Sequence, residues 1–566
     1  MFYRVGISLL LLCIVASGTW SLLASGFYRG HDFVHASRIV EMSAALHDGH
    51  IPPRWSANFG YGYGMPLFNF YAPLPYILGA FLYQYVSVIT AIKLLIVCAT
   101  VGTTFGMYKL SRDFTGHMAS IVAALAATVA PYRAVNIFVR GALSEAWGIA
   151  WIPWLFLASA RVVRNRGGFL LLSVVVAGMA LSHNLVTLMA IVSSGIWAAL
   201  LLVGERWYHK RTYPELLRRL ATLFTGYSVG FGLSAWYVVP SLIEKNYTQI
   251  DQKILTGYFD FRLHFLYIRQ LVINNWGYGG SEWGPDDGIS FFLGYGQLLA
   301  LAVFIGYLAW GFSAAMQGKK LKDTQQYYIA FATMITLFVT LALTLSHAQP
   351  VWEYVQYLKY LQFPWRWLSV STVLLALLVG FSIEIFTSKY VRAAFAIFMS
   401  CVLLLSATHF RPESLLDDTD SLYYTDPARI RTHMSEILPD YIPIDLAIND
   451  LKPATVILES KGGTELQEHI ISRTHEHLVR IDQEATGPVE FAIAYFLGWS
   501  AEVDGKPSLV EPNEFGLISI TIPEGKHVVG LFFSESPIRR VANTISVISA
   551  VMLVAFGFQR TTFPKK

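Results

Sequence analysis

The segment "YRGHDFVHASRIVEM", from Tyr28 to Met42, decides how the rest of the chain is interpreted, because it follows directly on an apolar run at 5–25. That run has the length of about 20 residues that a helix needs to cross a bilayer. A simple loop between two spans needs few ionisable side chains. This segment carries four in close succession, and it therefore predicts a polar site at the membrane surface: His31, Asp32, His35 and Arg38.

The composition excludes a soluble globular protein. Of the 566 residues, 54% are hydrophobic and only 14% are charged, whereas soluble domains carry about 25% charged residues. The formal net charge of +4 is too small to indicate a nucleic-acid partner. Cys13, Cys98 and Cys401 all fall in apolar runs, so we expect them to be small core residues rather than ligands or disulfides. The sequence predicts a polytopic α-helical protein in a lipid bilayer.

Twelve apolar segments predict about 12 transmembrane helices: 5–25, 89–109, 117–135, 143–160, 168–183, 185–203, 220–240, 289–311, 326–345, 367–386, 392–408 and 541–558. If the N-terminus is cytoplasmic, every cytoplasmic turn is basic, as the positive-inside rule requires. These turns include Arg161/Arg164/Arg166, Lys319/Lys320/Lys322 and Arg560/Lys565/Lys566. Both termini are then cytoplasmic, and the long segments 26–88, 241–288, 346–366 and 409–540 face outward. We expect the first span to be retained rather than cleaved as a signal peptide.

The domain organisation follows from this topology. Residues 1–408 are predicted to form the transmembrane domain, with juxtamembrane helices inside 26–88. Pro73–Val86 is too short to cross the bilayer and is predicted to lie in its interface. Residues 409–540 alternate apolar and polar residues between turn signals, which predicts a β-rich, sandwich-like extracytoplasmic domain. Asp504-Gly505 is a two-residue hairpin signal. Residues 541–566 supply the final span and a basic tail.

Asp32 is the leading candidate for chemistry. His31, His35 and Arg38 are spaced to share one face of a helix, and Asp32 lies beside that face. A carboxylate among imidazoles and a guanidinium suits general-base work on a hydroxyl, with the cations holding a phosphate. Two alternatives use the same residues. Asp32 could cap the helix N-terminus, or His31, Asp32 and His35 could bind a divalent metal.

The other candidate binding residues occur at predicted outer ends of helices, and each has a structural alternative. Arg54 and Asn69 lie in a Gly/aromatic segment that could equally be an interfacial belt. Arg140 and Glu145 form an ionisable pair at membrane depth, which is either functional or a structural ion pair. His183 follows a tight turn and could merely cap it. Arg366, between two tryptophans, could bind phosphate or anchor the helix at the interface.

Several motifs together resemble a bacterial membrane family labelled 6-pyruvoyl-tetrahydropterin synthase related, close to the YfhO-like proteins. They run over nearly the whole chain: "GHDFVH", "PPRWSANFGYGYGMPLFNFYAPLPY", "RGALSEAW", "LSHNL", "LQFPWRWL", "LPDYIPI" and "YFLGWSAEVDGKP". The architecture is similar to that of the GT-C glycosyltransferase superfamily. In that superfamily an acidic residue just after the first span acts as the base or organises the site, and Asp32 matches this position. No second acidic residue stands directly beside it in the sequence.

The resemblance implies an inverting glycosyltransferase of the bacterial inner membrane that uses a polyprenyl-phosphate-linked sugar donor. Asp32 would deprotonate a hydroxyl of an envelope acceptor. Arg140, Arg366 and Arg54 or Arg38 would hold the departing phosphate, and Glu145 would orient one of the arginines. His31, His35, Asn69 and His183 are further candidate binding residues. No cofactor is firmly implied, although a divalent metal is possible. The alternatives are a non-catalytic transporter or flippase for a lipid-linked substrate, and a scaffold for envelope assembly.

Overall fold

The computed structural model describes residues 2–253, 255–317, 324–416, 421–437, 439–455 and 464–562. All twelve segments predicted to span the membrane fall on helices, because long apolar runs have few alternatives to helical backbone in a bilayer. The helices are Phe2–Ser17, Val88–Arg112, His117–Thr128, Leu143–Val163, Phe169–Ala180, Asn184–Tyr208, Tyr213–Leu233, Tyr295–Met316, Thr324–Ala342, Leu368–Glu384, Lys389–Leu404 and Pro537–Thr562.

Six helical stretches among the described residues are long and apolar enough to cross a membrane. They are Val88–Arg112, Leu143–Val163, Asn184–Tyr208, Pro364–Glu384, Lys389–His409 and Pro537–Ala555. A seventh span results if His117–Thr128 and Pro131–Val139, which meet at an angle of 42°, are counted as one. The remaining apolar helices are shorter. The fold is that of a polytopic α-helical membrane protein.

The basic turns lie together at one end of the helices. Arg164 Nη1 lies 2.7 Å from the Asp113 carboxylate, which joins the turns after Arg112 and Val163. Glu384 accepts a hydrogen bond from the backbone of Gly116 and pairs with Arg392 at 3.0 Å. Lys319, Lys320, Lys322, Lys565 and Lys566 lie outside the described residues. The charge asymmetry seen in the sequence is therefore a property of one end of the helical domain.

The opposite end, which we call the loop-bearing end, consists of residues 18–87, 234–294, 343–367 and the described part of 405–536. Two helices within its first loop match the predicted juxtamembrane helices: His35–His47 and Leu74–Tyr83. They pack so closely that a Cβ on Gly79 would lie 2.8 Å from Ile39. Strand β1 (Phe27–Tyr28) pairs antiparallel with β2 (Leu415–Leu416), which fastens the chain after the first helix to the chain after Lys389–Leu404.

The β-rich domain contains two antiparallel sheets, as predicted. The strands are β3 (Thr464–Ser472), β4 (Glu476–Gln483), β5 (Gly487–Ala494), β6 (Trp499–Val503), β7 (Lys506–Ser508), β8 (Glu511–Pro512), β9 (Leu517–Ile522) and β10 (Gly525–Phe533). The orders are β3-β4-β10-β6-β7 and β5-β9-β8. Ile481 and Ile518 are fully buried in a common core. Asp504 and Gly505 join β6 to β7 with φ of +54° and +74°, as a two-residue hairpin turn requires.

Two expectations need correction. Apart from the two-residue β2, the described strands of the C-terminal domain begin at Thr464 rather than near 409. The described residues between 409 and 455 form short helices and irregular chain that pack on the first loop instead. The cysteines are free, but Cys13, Cys98 and Cys401 are exposed on helix surfaces and are not core residues. Apolar runs that face lipid cannot be distinguished from apolar runs that face protein by composition alone.

A buried ion network holds the first loop, the helix Ala235–Ile243 and the final helix together. The Glu244 carboxylate accepts from Arg539 at 2.9 Å, from Asn69 at 2.8 Å and from Ser536 at 2.7 Å. Glu244 and Arg539 are both completely buried. A buried ion pair is costly to break because removal of one member leaves the other charged and unpaired.

We predict that Glu244→Ala lowers the free energy of unfolding by about 3–5 kcal/mol, because Arg539 is then left as a buried unpaired charge. Thermal unfolding of the purified protein in detergent would measure the change. Glu468→Ala is the matched control, since Glu468 pairs with Arg480 on the exposed surface of β3 and β4 and such pairs contribute little. Equal losses of stability in the two variants would contradict the role of Glu244 as the buried counter-charge of Arg539.

Candidate active site

Asp32 is positioned by a close backbone contact between the first loop and the chain that precedes Leu143–Val163. The backbone N–H groups of His31 and Asp32 donate to the carbonyls of Val139 and Arg140, at 3.1 and 2.8 Å. This contact requires glycine, because a Cβ on Gly30 would lie 3.0 Å from the Cα of Gly141. Gly141 itself has φ of +68°. The two glycines therefore hold Asp32 beside Arg140.

The Asp32 carboxylate does not cap a helix. The helix begins at His35 with Val34 at its N-cap, and Asp32 lies in the preceding turn. Its side chain is half-buried and makes no hydrogen bond within the described part of the chain. It interacts electrostatically with Arg140, Arg366 and Asp440. Asp32 is thus an available carboxylate next to cations.

Glu145 holds two of those cations. Its Oε2 lies 2.6 Å from Arg140 Nη1 and 3.7 Å from Arg366 Nε, and the carboxylate is 1% exposed. Its Oε1 accepts from the hydroxyls of Tyr132, at 2.9 Å, and Ser369, at 3.1 Å. The two arginines are therefore fixed side by side, which joins the helix Leu143–Val163 to Leu368–Glu384.

Each of these arginines retains hydrogen-bonding capacity. Arg140 donates to Glu145 through Nη1, while its Nε and Nη2 make no hydrogen bond to a described residue. The Arg140 guanidinium lies 4.7 Å from the centre of the Trp365 ring. Arg366 Nη1 donates to the Leu361 carbonyl at 2.7 Å and to Gln362, but the buried Nε has no hydrogen-bond partner in the described chain. Arg140 can therefore still donate to an anion, whereas the unpaired Nε of Arg366 is buried near Glu145.

Arg38 is a third buried guanidinium with unused donors. It is 2% exposed, and its Nε and Nη1 have no hydrogen-bond partner among the described residues. Its guanidinium lies 3.8 Å from the centre of the Tyr71 ring. On the same helix, His35 Nδ1 shares a 2.6 Å hydrogen bond with the Tyr76 hydroxyl. Burial and then the positive charge of Arg38 lower the pKa of His35 well below its usual value, so this imidazole is neutral.

A narrow pocket lies beside Asp32 and His35. Its polar lining comes from Asp32 and His35, and the opposite wall is apolar, formed by Ile92, Ile96, Phe27, Ile137, Leu143 and Ala146. Two of these residues lie on Val88–Arg112 and two on Leu143–Val163. The pocket therefore combines a carboxylate at one side with an aliphatic surface that belongs to membrane-spanning helices. The volume of this pocket is about 10 Å3, which is room for about one water molecule, so a larger ligand requires the walls to move.

Arg54 and Asn69 belong to a different place. The five donors of Arg54 meet protein acceptors: both oxygens of Glu535, the Trp236 carbonyl, Asn69 and Asn543. Asn69 also donates to Glu244 at 2.8 Å. These residues are part of the buried network at the final helix and leave no donor of Arg54 for a ligand. The structure does not bring them to Asp32.

The remaining predicted residues lie near the site but have structural contacts. His183 Nδ1 accepts from the Val186 backbone at 3.2 Å and caps the helix Asn184–Tyr208, and its ring interacts electrostatically with Glu145, Arg366 and Arg140. His31 Nε2 lies 3.1 Å from the Tyr278 carbonyl. Within the described chain no three His, Cys, Asp or Glu side chains are grouped to share a metal ion. The metal alternative through His31, Asp32 and His35 is therefore not assembled.

Asp440 is the carboxylate that sequence reasoning missed. It precedes Tyr441, whose ring stacks on Phe70 at 5.5 Å and an angle of 14°, so the segment that leads to the β-rich domain lies against the first loop. Burial raises the pKa of Asp440 to about 6, with Arg38 opposing and Asp32 adding to the rise. The only sequence signal was an acidic residue within the otherwise apolar "LPDYIPI".

Comparison with known proteins gives a family and several structural likenesses. The family model described as "6-pyruvoyl-tetrahydropterin synthase related domain; membrane protein" matches residues 68–412. An uncharacterised protein of Lactococcus lactis subsp. cremoris (strain MG1363) is 21% identical over 298 residues, which are 51% of this chain and 46% of that protein. The chain thus matches about half the length of this curated relative.

The chain is also similar, at low sequence identity, to several solved structures. The arabinofuranosyltransferase AftD from Mycobacteria is 16% identical, with a TM-score of 0.43, over 75% of this chain and 27% of that one. ArnT from Cupriavidus metallidurans, solved bound to undecaprenyl phosphate, is 11% identical, with a TM-score of 0.39, over 76% of this chain and 78% of that one.

The raised pKa of Asp440 makes a prediction about stability. A carboxyl group whose pKa is higher in the folded protein than its usual 3.8 is destabilising once ionised, so stability is lost as pH rises from about 4 through 6. We expect Asp440→Asn to be more stable than wild type above pH 6, by roughly 3 kcal/mol, and to lose this advantage near pH 4. Thermal unfolding across this range would measure the difference. Asp445→Asn, at an exposed position in the same segment, is the control. If Asp440→Asn were more stable than wild type by the same amount at every pH, the raised pKa of Asp440 would be wrong.

Proposed function

Because the chain belongs to the membrane-protein family described as 6-pyruvoyl-tetrahydropterin synthase related, we propose that it is a membrane glycosyltransferase whose site is the pocket at Asp32. The donor is a sugar linked to a polyprenyl phosphate, and the acceptor is an envelope glycan, lipid or protein. The observation that carries this proposal is the half-buried carboxylate of Asp32, which lines a pocket with an aliphatic wall and interacts electrostatically with Arg140 and Arg366. In this proposal the polyprenyl chain packs against the aliphatic wall, and its phosphate binds the neighbouring arginines.

In the proposed reaction Asp32 accepts the proton of an acceptor hydroxyl. The hydroxyl oxygen attacks the anomeric carbon of the donor sugar, the bond from that carbon to the phosphate oxygen breaks, and the polyprenyl phosphate leaves with the bonding electrons. A single displacement of this kind inverts the anomeric centre. Asp32 is suited to the role because its carboxylate is half-buried and forms no hydrogen bond to a described residue.

The arginines have separate roles in this proposal. Negative charge grows on the phosphate as the bond to the sugar breaks, and fixed cations stabilise it without reorganisation. Arg140 and Arg366 are pre-positioned by Glu145. Arg38 approaches from the helix that carries His35, which as a neutral imidazole adds no further charge. Glu145 is a positioning residue, because its contacts within the described chain are to the arginines, Tyr132 and Ser369.

The topology proposed from the basic turns puts this site on the outer face of the bacterial inner membrane. Nucleotide-activated sugars are cytoplasmic, whereas a polyprenyl-phosphate sugar is presented within the bilayer. The donor class is therefore consistent with the aliphatic wall formed by Val88–Arg112 and Leu143–Val163. A transporter or flippase for the same lipid, or an assembly scaffold, would share the cation site but would have no need for a proton acceptor at Asp32.

The test of catalysis is Asp32→Asn, compared with wild type in a deletion strain at equal membrane levels. We expect the rate of sugar transfer to fall by about 100- to 10,000-fold, because the amide cannot accept the hydroxyl proton. Mass spectrometry of the envelope glycolipids and polysaccharides would show loss of a hexose- or pentose-sized modification that wild type restores. Asp450→Asn, at an exposed position, is the control. Full restoration by Asp32→Asn would favour the transporter or scaffold.

Arg38 gives a second test that does not depend on turnover. Undecaprenyl phosphate should raise the thermal unfolding temperature of the wild-type protein, because a ligand that binds only the folded state stabilises it. Arg38→Gln should weaken this binding by about tenfold or more, the loss expected for a charged hydrogen bond. Arg480→Gln, on the exposed surface of β4, is the control. Equal stabilisation by undecaprenol, which lacks the phosphate, would contradict the role of the arginines.

A further inference from the structure

Three histidines lie together where the first loop meets the β-rich domain, and we call them the histidine cluster: His50, His475 and His477. His50 follows the helix His35–His47 of the first loop. His475 lies in the turn between β3 and β4, and His477 lies on β4. The rings of His50 and His475 stack at a centroid distance of 4.7 Å and an angle of 26°. Two imidazoles from distant parts of the chain are therefore in face-to-face contact.

The histidine cluster is surrounded mainly by protein. His50 and His477 are 6% and 7% exposed. The Nδ1 atoms of all three histidines are buried and have no hydrogen-bond partner in the described chain. Aromatic rings lie against two of them, because His50 meets Phe533 edge to face at 5.9 Å and His477 stacks on Trp499 at 6.0 Å. Such surroundings accept a neutral imidazole and disfavour a charged one.

The titratable groups that face His50 are basic: His475, Arg54 and Arg539. The two arginines are themselves paired with carboxylates of the buried network, Glu535 and Glu244. Burial and then these basic neighbours lower the pKa of His50 to about 3. A proton on His50 would therefore place a positive charge against a second imidazole and close to two guanidinium groups.

His475 and His477 have acidic as well as basic neighbours. Besides each other and His50, the groups that face them are Asp48, His469, Arg473 and Glu476. Asp48 Oδ2 accepts from the backbone N–H of Thr474 at 2.6 Å, and Glu476 pairs with Arg473 at 2.9 Å. Burial is the largest effect and outweighs the carboxylates, so the pKa of His477 is lowered to about 4 and that of His475 is also lowered. The three imidazoles are therefore neutral at pH 7.

We propose that the histidine cluster is an acid-sensitive contact, which holds the turn between β3 and β4 against the first loop at neutral pH and releases it in acid. This inference is independent of the proposed function. In the topology proposed from the basic turns, the contact lies on the outer face of the membrane, where the pH follows that of the surroundings.

The direction of the effect follows from linkage. A histidine whose pKa is lower in the closed contact than its usual 6.5 takes up a proton more readily once the contact opens. The closed form is therefore fully favoured above about pH 6.5 and is progressively disfavoured as the pH falls toward 4. Between pH 7.5 and 5, His50 and His477 should each shift the equilibrium toward the open form by about 30-fold.

Hydrogen–deuterium exchange of the full-length protein in lipid nanodiscs tests the contact, because the Thr474 backbone N–H bonds to Asp48 across it. The readout is the protection factor of the peptide that contains Thr474, which already corrects for the chemical exchange rate at each pH. In wild type this factor should fall by about 30-fold or more between pH 7.5 and 5. A peptide from the helix Leu143–Val163 should stay protected at both pH values, which shows that the opening is local.

Two variants remove one protonation site each, and a third is the control. The fall in protection should be about tenfold smaller, or less still, in His50→Gln, and His475→Gln should also reduce it. His47→Gln removes an exposed histidine at the end of the preceding helix and should behave as wild type does. The proposal is overturned if wild type is equally protected at pH 7.5 and 5. It is also overturned if protection falls by the same factor in wild type, His50→Gln and His475→Gln, as a purely structural role of the cluster would require.

Discussion

The carboxylate of Glu145 is the interaction on which the arrangement at the loop-bearing end depends. It is almost completely buried and lies between Arg140 and Arg366, which come from different parts of the chain. Burying one carboxylate costs several kcal/mol, and the cost is offset only when opposite charges and hydrogen-bond donors surround it. Tyr132 and Ser369 supply the remaining donors. Two guanidinium groups are thereby kept buried at the loop-bearing end, where an arginine without a counter-charge would be strongly disfavoured.

Two ionic networks at this end have opposite character. The one around Glu244 is closed: Arg54, Asn69 and Arg539 find protein partners for their polar groups, and it joins the first loop to the final helix. The one around Glu145 and Asp32 is open, since Arg38 and Arg366 keep buried donors without a described partner. A closed network stabilises a fold, whereas an open one retains the capacity to bind a ligand. This difference separates structural arginines from candidate binding arginines.

The sequence was most informative where one physical cause dominates. Apolar length predicted all twelve helical segments, and the demand for two positive φ values predicted the turn at Asp504-Gly505. It was least informative where two distant segments meet. Arg54 and Arg38 both lie in the polar first loop. Nothing in the neighbouring sequence shows that every donor of Arg54 is hydrogen-bonded to protein, whereas two donors of Arg38 are not. Asp440 becomes a neighbour of Asp32 only because Tyr441 stacks on Phe70.

The start of the helix at His35 shows the same limit. Spacing alone placed His31, His35 and Arg38 on one helical face, but the backbone of residues 31 and 32 is bonded to Val139 and Arg140 instead of to the next helical turn. The reason lies about 110 residues further along, where Gly141 permits the close approach. Local propensity cannot anticipate a contact of this kind.

The break in the span that precedes Arg140 explains how a charged residue reaches this position. His117–Thr128 and Pro131–Val139 meet at 42°, and the second part ends in a wide turn in which Arg140 N bonds to the Val135 carbonyl at 2.9 Å. Irregular backbone is tolerated at membrane depth only where protein or a polar cavity satisfies it. Here the first loop does so, because His31 and Asp32 donate to the carbonyls of Val139 and Arg140. The contact that completes the broken span is therefore the same contact that holds the carboxylate of Asp32 against the arginines.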